Sequence, residues 1–217
     1  MTNAAEQMAV PNTKGRVLHW ALGYDLLAWA FCLGRERDLR ERMLGFAELK
    51  PGERVLDIGC GTGTLGIAAK RCVGATGTVC GIDASPEMIA RASKKASSNG
   101  VEVHFQNAVV EKLPFEDASF DVVLSTLMLH HLGRKVRQQC LCEARRVLKP
   151  GGRLLAVDFA EPAGNRRSLL GHFHRHGYLK FSDLMSMLHD AGFSTVETGT
   201  LRTRNLYYAS ARVPLHA

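Results

Sequence analysis

The chain has 217 residues, 46% of them apolar and 23% charged, the balance of a soluble globular protein of about one domain. That composition excludes a disordered chain, a collagen-like chain and a small disulfide scaffold. With 28 Lys and Arg against 21 Asp and Glu, the formal charge is +7, which permits nucleic acid, anionic lipid or an acidic substrate without demanding any of them. The six cysteines are scattered with no C-x-x-C pair, and Cys140 and Cys142 lie too close for the usual zinc spacing. They read as reduced thiols of a cytoplasmic protein. No signal peptide is visible, and no window approaches the ~20 apolar residues of a membrane span.

In chain order, the first fifteen residues read as a loose tail. The apolar, aromatic stretch Arg16–Leu33 follows, with Leu18, Leu22, Leu26 and Trp29 at helical steps. Arg35–Leu49 reads as a second helix, with Leu39, Met43 and Phe46 on one face. Pro51-Gly52 ends it. Short apolar runs then alternate with helical stretches. The runs are Val55–Ile58, Thr78–Ile82, Val101–Phe105, Asp121–Ser125 and Arg153–Phe159, and the helices fall near Thr64–Arg71, Pro86–Ser97 and Lys135–Leu148. Such alternation predicts a parallel sheet with helices on both faces. After a gap from Ala160 to Lys180 come a helix over Phe181–Ala191 and two β-rich runs, Thr195–Leu201 and Leu206–Val213, which read as an antiparallel pair at the sheet edge.

The segment V-L-D-I-G-C-G-T-G, Val55 to Gly63, ends an apolar strand at Asp57-Ile58 and turns through glycines into a helix near Thr64. Glycines there allow positive φ and close approach of a ligand, and the helix N-terminus offers free N–H groups. Gly61, Gly63 and Gly66 also satisfy G-x-G-x-x-G, with Asp83 twenty residues after Gly63, a pattern that fits a dinucleotide. Asp57 argues against that reading, because a carboxylate before the glycines repels a pyrophosphate and suits an ammonium group.

These residues resemble motif I of the class I S-adenosylmethionine-dependent methyltransferases, and later segments fall in the family's order. They are G-I-D-A-S-P-E-M (Gly81 to Met88), F-Q-N-A-V-V-E-K-L-P-F (Phe105 to Phe115), F-D-V-V-L-S-T-L-M-L-H-H-L (Phe120 to Leu132) and L-K-P-G-G-R-L-L-A-V-D (Leu148 to Asp158). The nearest likeness is to the menaquinone/ubiquinone C-methyltransferase group. The resemblance implies a Rossmann-like three-layer α/β sandwich, a seven-stranded, mostly parallel sheet with an antiparallel C-terminal pair, plus N-terminal helices. It implies S-adenosylmethionine as cofactor, with S-adenosylhomocysteine as product. The expected cofactor residues are Asp57, Gly59, Cys60, Gly61, Thr62, Gly63, Asp83, Ala84, Met88, Asn107, Ala108 and Thr126. Asp83 would bond the ribose hydroxyls. Asn107 stands where relatives carry an Asp toward the adenine amino group. Residues 1–50 would be a tail and helical lid, and 51–217 the methyltransferase domain.

Transfer from a sulfonium needs alignment and exclusion of water, and positioning alone can supply roughly 7–11 kcal/mol. No catalytic constellation is therefore required. The candidates are His131, Tyr24 and His19, with His130 beside the first. One imidazole of the L-H-H-L would face the cleft while the other caps backbone. Asp121 and Asp158 read as closing turns or strand ends. His172, His174 and His176 alternate, which fits a pocket lining better than a metal.

The cations Arg134, Lys135, Arg137, Arg145, Arg146, Lys149 and Arg153 cluster with only Glu143 opposing them, and read as a solvated helix face. No aromatics interleave there, which disfavours nucleic acid. The function expected is methyl transfer to a small apolar or aromatic molecule. The alternatives are a phospholipid-headgroup N-methyltransferase touching the membrane surface, with a lipid-like substrate, and a cofactor-binding protein without catalysis.

Overall fold

The computed structural model describes residues 36–160, 179–201 and 206–215. The expected helix over 16–33, with Tyr24 and His19, and the three alternating histidines lie outside these residues. Helix α1 is Glu36–Ala47 and strand β1 is Arg54–Ile58; α2 (Thr64–Val73), β2 (Thr78–Asp83), α3 (Pro86–Ser98) and β3 (His104–Asn107) follow. Then come β4 (Phe120–Thr126), a 3-10 turn over Leu129–His131, α4 (Arg134–Val147) and β5 (Leu148–Phe159). The chain closes with α5 (Phe181–Asp190), β6 (Thr195–Thr200) and β7 (Leu206–Arg212).

The seven strands form one sheet in the order β3-β2-β1-β4-β5-β7-β6. All pairs from β3 to β5 are parallel, and β7 pairs antiparallel with β5 and β6. The expected fold class is observed. Strands β1 and β4 are buried on both faces, which is why they read as continuous apolar runs. Alternate residues feed two cores. Leu56, Ile58, Val123, Leu154 and Ala156 join α4 and α5 on one side. Val55, Val122, Leu124, Leu155 and Val157 join α1 and α2 on the other.

Two boundaries differ from expectation. The third strand begins at His104, not Val101, because the Val101 N–H donates to the Ala96 carbonyl and finishes α3. The fifth strand begins at Leu148, paired with Phe120, so the Pro150-Gly151 turn lies within it.

Four of the seven cations of the basic cluster turn inward, while Arg134 and Lys135 stay exposed. The Arg146 guanidinium spans Glu143 (2.7 Å), Asp117 (2.8 Å) and the carbonyls of Phe115 and Leu113. Arg137 donates to the carbonyls of Leu129 and Leu132, and Lys149 bonds Asp121 at 2.7 Å. Arg153, only 7% exposed, donates to the carbonyls of Ala47 and Glu48 and grips both Glu53 oxygens at 2.8 Å. It thereby holds the end of α1 against β5. Removing one member of such a buried pair costs about 3–5 kcal/mol. Arg153→Met should therefore lower the melting temperature by roughly 6–20 °C at this chain length, read by circular dichroism; an unchanged midpoint would show that α1 docks without it.

Candidate active site

Asp57 is the fourth residue of β1, flanked in register by Gly81 of β2 and Leu124 of β4. The loop that follows is pinned across the strand ends. The Cys60 N–H donates to the Ile82 carbonyl, the Gly61 N–H to Asp83 Oδ2 (2.9 Å) and the Gly63 N–H to the Cys60 carbonyl. Gly59 and Gly63 have φ of 69° and 75°, and neither tolerates a side chain. A Cβ on Gly59 would overlap Met128, and one on Gly63 would come within 2.5 Å of Phe105. Gly63 is also the N-cap of α2 and supplies no side-chain cap, so the helix opens on bare N–H groups. Lys95, on α3, donates from Nζ to the hydroxyls of Thr62 (2.9 Å) and Thr64 (2.8 Å), closing the loop from the far side. Sequence reasoning passed over Lys95, because a lysine near the end of an amphipathic helix looks like a solvent contact.

The Asp57 carboxyl is 1% exposed, and neither oxygen has a hydrogen-bond partner among the described residues. Burial, and then the charge of Asp83, push its pKa up to about 7, while the nearby Gly66 amide, outside hydrogen-bonding geometry, offsets part of the rise. A buried carboxylate without a partner is costly unless a cation meets it. The chemistry of this site therefore fits a ligand that brings an ammonium group to the strand ends beside a glycine cradle.

Asp83, at the end of β2, accepts N–H bonds from Gly61 and from Ser85 (both 2.9 Å). Burial raises its pKa and the two amides pull it back. Ser85 itself caps α3 by accepting the Met88 N–H at 3.2 Å, which frees Asp83 from that task. Asn107 ends β3 and spends its Nδ2 on the Asp83 carbonyl (2.9 Å), so its Oδ1 is the end left to accept. Ala108 donates its N–H to the same carbonyl at 3.1 Å. Ala84 follows Asp83, Met88 is buried at 2% in the first turn of α3, and Thr126 is the last residue of β4. The expected cofactor residues thus gather at the carboxyl ends of four adjacent strands. Cys60 packs inside the loop, its thiol pKa raised by burial and by Asp57 and Asp83.

One arrangement was not expected. His130 Nδ1 lies 2.6 Å from Asp158 Oδ1, and the His130 N–H donates to Oδ2 at 3.0 Å. The Phe159 N–H also donates to Oδ1, at 2.8 Å. Asp158 is 1% exposed, so this is a buried carboxylate–imidazole pair. Asp158 does close a strand end, but it also orients a ring. His131 stands alongside, its ring 3.9 Å from that of His130. Two residues 28 apart are brought together here by the parallel pairing of β4 with β5, for which the sequence carried no local signal. Among the described residues no cluster of His, Cys, Asp and Glu forms a metal site.

Comparison with known proteins agrees with this geometry. Residues 55–152 match the family described as "Methyltransferase domain". The chain is 39% identical over 140 residues to a demethylmenaquinone methyltransferase of Thermus thermophilus, covering 64% of this chain and 62% of that one. It is 36% identical over 160 residues to an arsenite methyltransferase of Halobacterium salinarum, covering 70% of this chain but 40% of that one. The chain therefore spans between two fifths and two thirds of the length of these relatives. A solved S-adenosylmethionine-dependent methyltransferase of Aquifex aeolicus superposes with a TM-score of 0.66 at 25% identity, over 80% of this chain and 89% of that one.

The raised Asp57 pKa gives a sign for stability. The folded, ligand-free chain holds a proton to about pH 7, whereas an unfolded Asp releases it near 3.8. Folding is therefore most favoured by this group at low pH and loses that contribution as pH rises from about 4 to 7. Asp57→Asn should remove this part of the slope and raise the melting temperature above wild type at pH 8. A variant that melts below wild type at pH 8 would show that the carboxylate is satisfied.

Proposed function

We propose that this chain, whose residues 55–152 form a methyltransferase domain of the class I S-adenosylmethionine-dependent type, transfers a methyl group to a small, apolar or aromatic acceptor. The observation that carries this reading is the buried, unpartnered Asp57 carboxylate under the glycine loop. Asp57 would hold the ammonium group, the loop backbone the carboxylate end, Asp83 the ribose hydroxyls through its remaining lone pairs, and Asn107 Oδ1 the adenine amino group. Ala84, Met88 and Ala108 would line the base, and Gly59, Cys60, Thr62 and Thr126 the methionine end. Bound there, S-adenosylmethionine supplies a methyl on a sulfonium that is already activated for in-line displacement.

What the chain adds is orientation and a proton acceptor. Asp158 fixes the tautomer of His130, keeping the proton on Nδ1 and a lone pair on Nε2. An imidazole so held takes a proton from an acceptor hydroxyl as the methyl arrives. This favours His130 over His131 as the base, with His131 packed against it. We keep Tyr24 and His19 as substrate-side candidates; within residues 1–50, α1 is tied down by Arg153. The named relatives include a demethylmenaquinone methyltransferase, which supports an aromatic acceptor. The nucleic-acid reading loses its main support, because much of the basic cluster is spent on internal bonds, whereas the lipid-headgroup alternative turns on residues 16–33, outside the described residues. We place the reaction in the cytoplasm, where free thiols such as Cys60, Cys72 and Cys142 persist.

The test is calorimetric titration with S-adenosylhomocysteine, followed by transfer of label from S-adenosylmethionine into the small-molecule pool of a cell extract. Wild type should bind and label. Asp57→Asn should lose binding. His130→Ala should keep binding and lose about 10²–10⁴-fold in rate, and Asp158→Asn should lose rate in the same direction. Failure of wild type to bind S-adenosylhomocysteine would overturn the reading, and binding without transfer would return the chain to the non-catalytic alternative.

A further inference from the structure

The antiparallel strand β7 enters the sheet at the end where β5 leaves it. Tyr207, its second residue, pairs in register with Asp158. Residues directly opposite in an antiparallel pair project from the same face. That face is the one to which Ala156 and Ala209 belong, covered by α4 and α5. Tyr207 therefore lies beside the carboxylate that holds His130. Its ring centroid is 5.5 Å from that of Phe181, the first residue of α5. Its hydroxyl has no hydrogen-bond partner among the described residues, and its side chain is only partly buried.

Tyr208 shows that this is not the ordinary fate of a tyrosine on β7. It faces the other side and is absorbed by a stack on Phe46, with centroids 4.1 Å apart and planes 23° apart. Tyr207 instead meets Phe181 on the face covered by α4 and α5, at the strand end where Phe159, from the other face, meets His130 edge-on at 5.5 Å. The Tyr207 and Phe181 rings offer apolar surface with a phenol, on the face that also carries Asp158, the residue that bonds His130.

Resting on the methyltransferase reading above, we propose that Tyr207 and Phe181 form the wall against which the acceptor lies, and that the Tyr207 hydroxyl positions an acceptor oxygen opposite His130. The acceptor class is then a planar ring carrying a hydroxyl. Tyr207 is a positioning residue and takes no proton in the step. Phe181 supplies ring contact without polarity, so the two residues separate into distinct effects on affinity.

The experiment uses full-length protein saturated with S-adenosylhomocysteine, titrated with 1-naphthol and with naphthalene. Wild type should bind 1-naphthol more tightly than naphthalene. Tyr207→Phe keeps the ring on Phe181, so it should leave S-adenosylhomocysteine affinity and the melting temperature unchanged. It should also weaken 1-naphthol binding about fivefold, the worth of one hydrogen bond, and narrow the preference between the probes by the same factor, what remains resting on His130. Phe181→Leu should weaken both probes alike and keep the preference. Where a methylated acceptor is in hand, Tyr207→Phe should raise KM more than it lowers kcat. Equal binding of both probes by wild type, no binding of 1-naphthol, or a preference undiminished in Tyr207→Phe would overturn the proposal. None of these results bears on the methyltransferase reading, which falls only if S-adenosylhomocysteine itself fails to bind.

Discussion

Asp57 stands in the middle strand of a parallel sheet with both oxygens buried and nothing among the described residues to bond them. A folded chain tolerates such a group only where the site has a use for it. The surrounding sequence is organised to keep it there. Gly81 on β2 removes a side chain beside it, the glycine loop folds over its strand end, and Asp83 latches that loop through the Gly61 amide. The second carboxylate has a double effect. It orders the cradle by accepting two backbone N–H groups, and its charge makes Asp57 harder to ionise. On the proposed reading, a ligand ammonium would relieve both the burial and the repulsion.

The second buried carboxylate system follows the opposite rule. Asp158 is as deeply buried as Asp57 but accepts from His130 twice and from Phe159 once. It is satisfied without a ligand, which is what an orienting group requires. One carboxylate waits for charge and the other holds a ring still. They lie on opposite faces of the sheet, since Asp57 follows the side of Val55 and Asp158 that of Ala156. Chemistry between them has to take place over the strand ends, where the two faces meet.

The parts of this arrangement written locally were legible. Glycines and prolines punctuate the strands, so the parallel order, the glycine loop and the acidic pair Asp57 and Asp83 could be read from residues close in sequence. The parts that depend on sheet adjacency were not. His130 and Asp158 are joined by the pairing of β4 with β5, and Asp158 with Tyr207 by the reversal of β7. Nothing in the intervening residues announces either contact. The boundary of β3 was misplaced for a related reason: Val101 has strand character, but a helix-ending bond claims its amide. Residues 1–35 and 161–178, which contain Tyr24, His19 and the alternating histidines, lie outside what the structure describes.

The basic residues show how charge read along the chain can mislead. Seven cations between Arg134 and Arg153 look like one surface patch, yet the fold sends them to different tasks. Arg146 ties the loop before β4 to α4, Arg137 caps a 3-10 turn next to His130, and Arg153 clamps α1. Guanidinium groups suit this work because their fixed fork bonds several oxygens at once. The Arg137 case bears most on function. Its bonds to the carbonyls of Leu129 and Leu132 bracket the two histidines, so the segment that carries His130 is held at both ends as well as by Asp158. If His130 is the proposed base, it gains more from that rigidity than from any additional charge in the cleft, because it must meet an acceptor within a narrow distance.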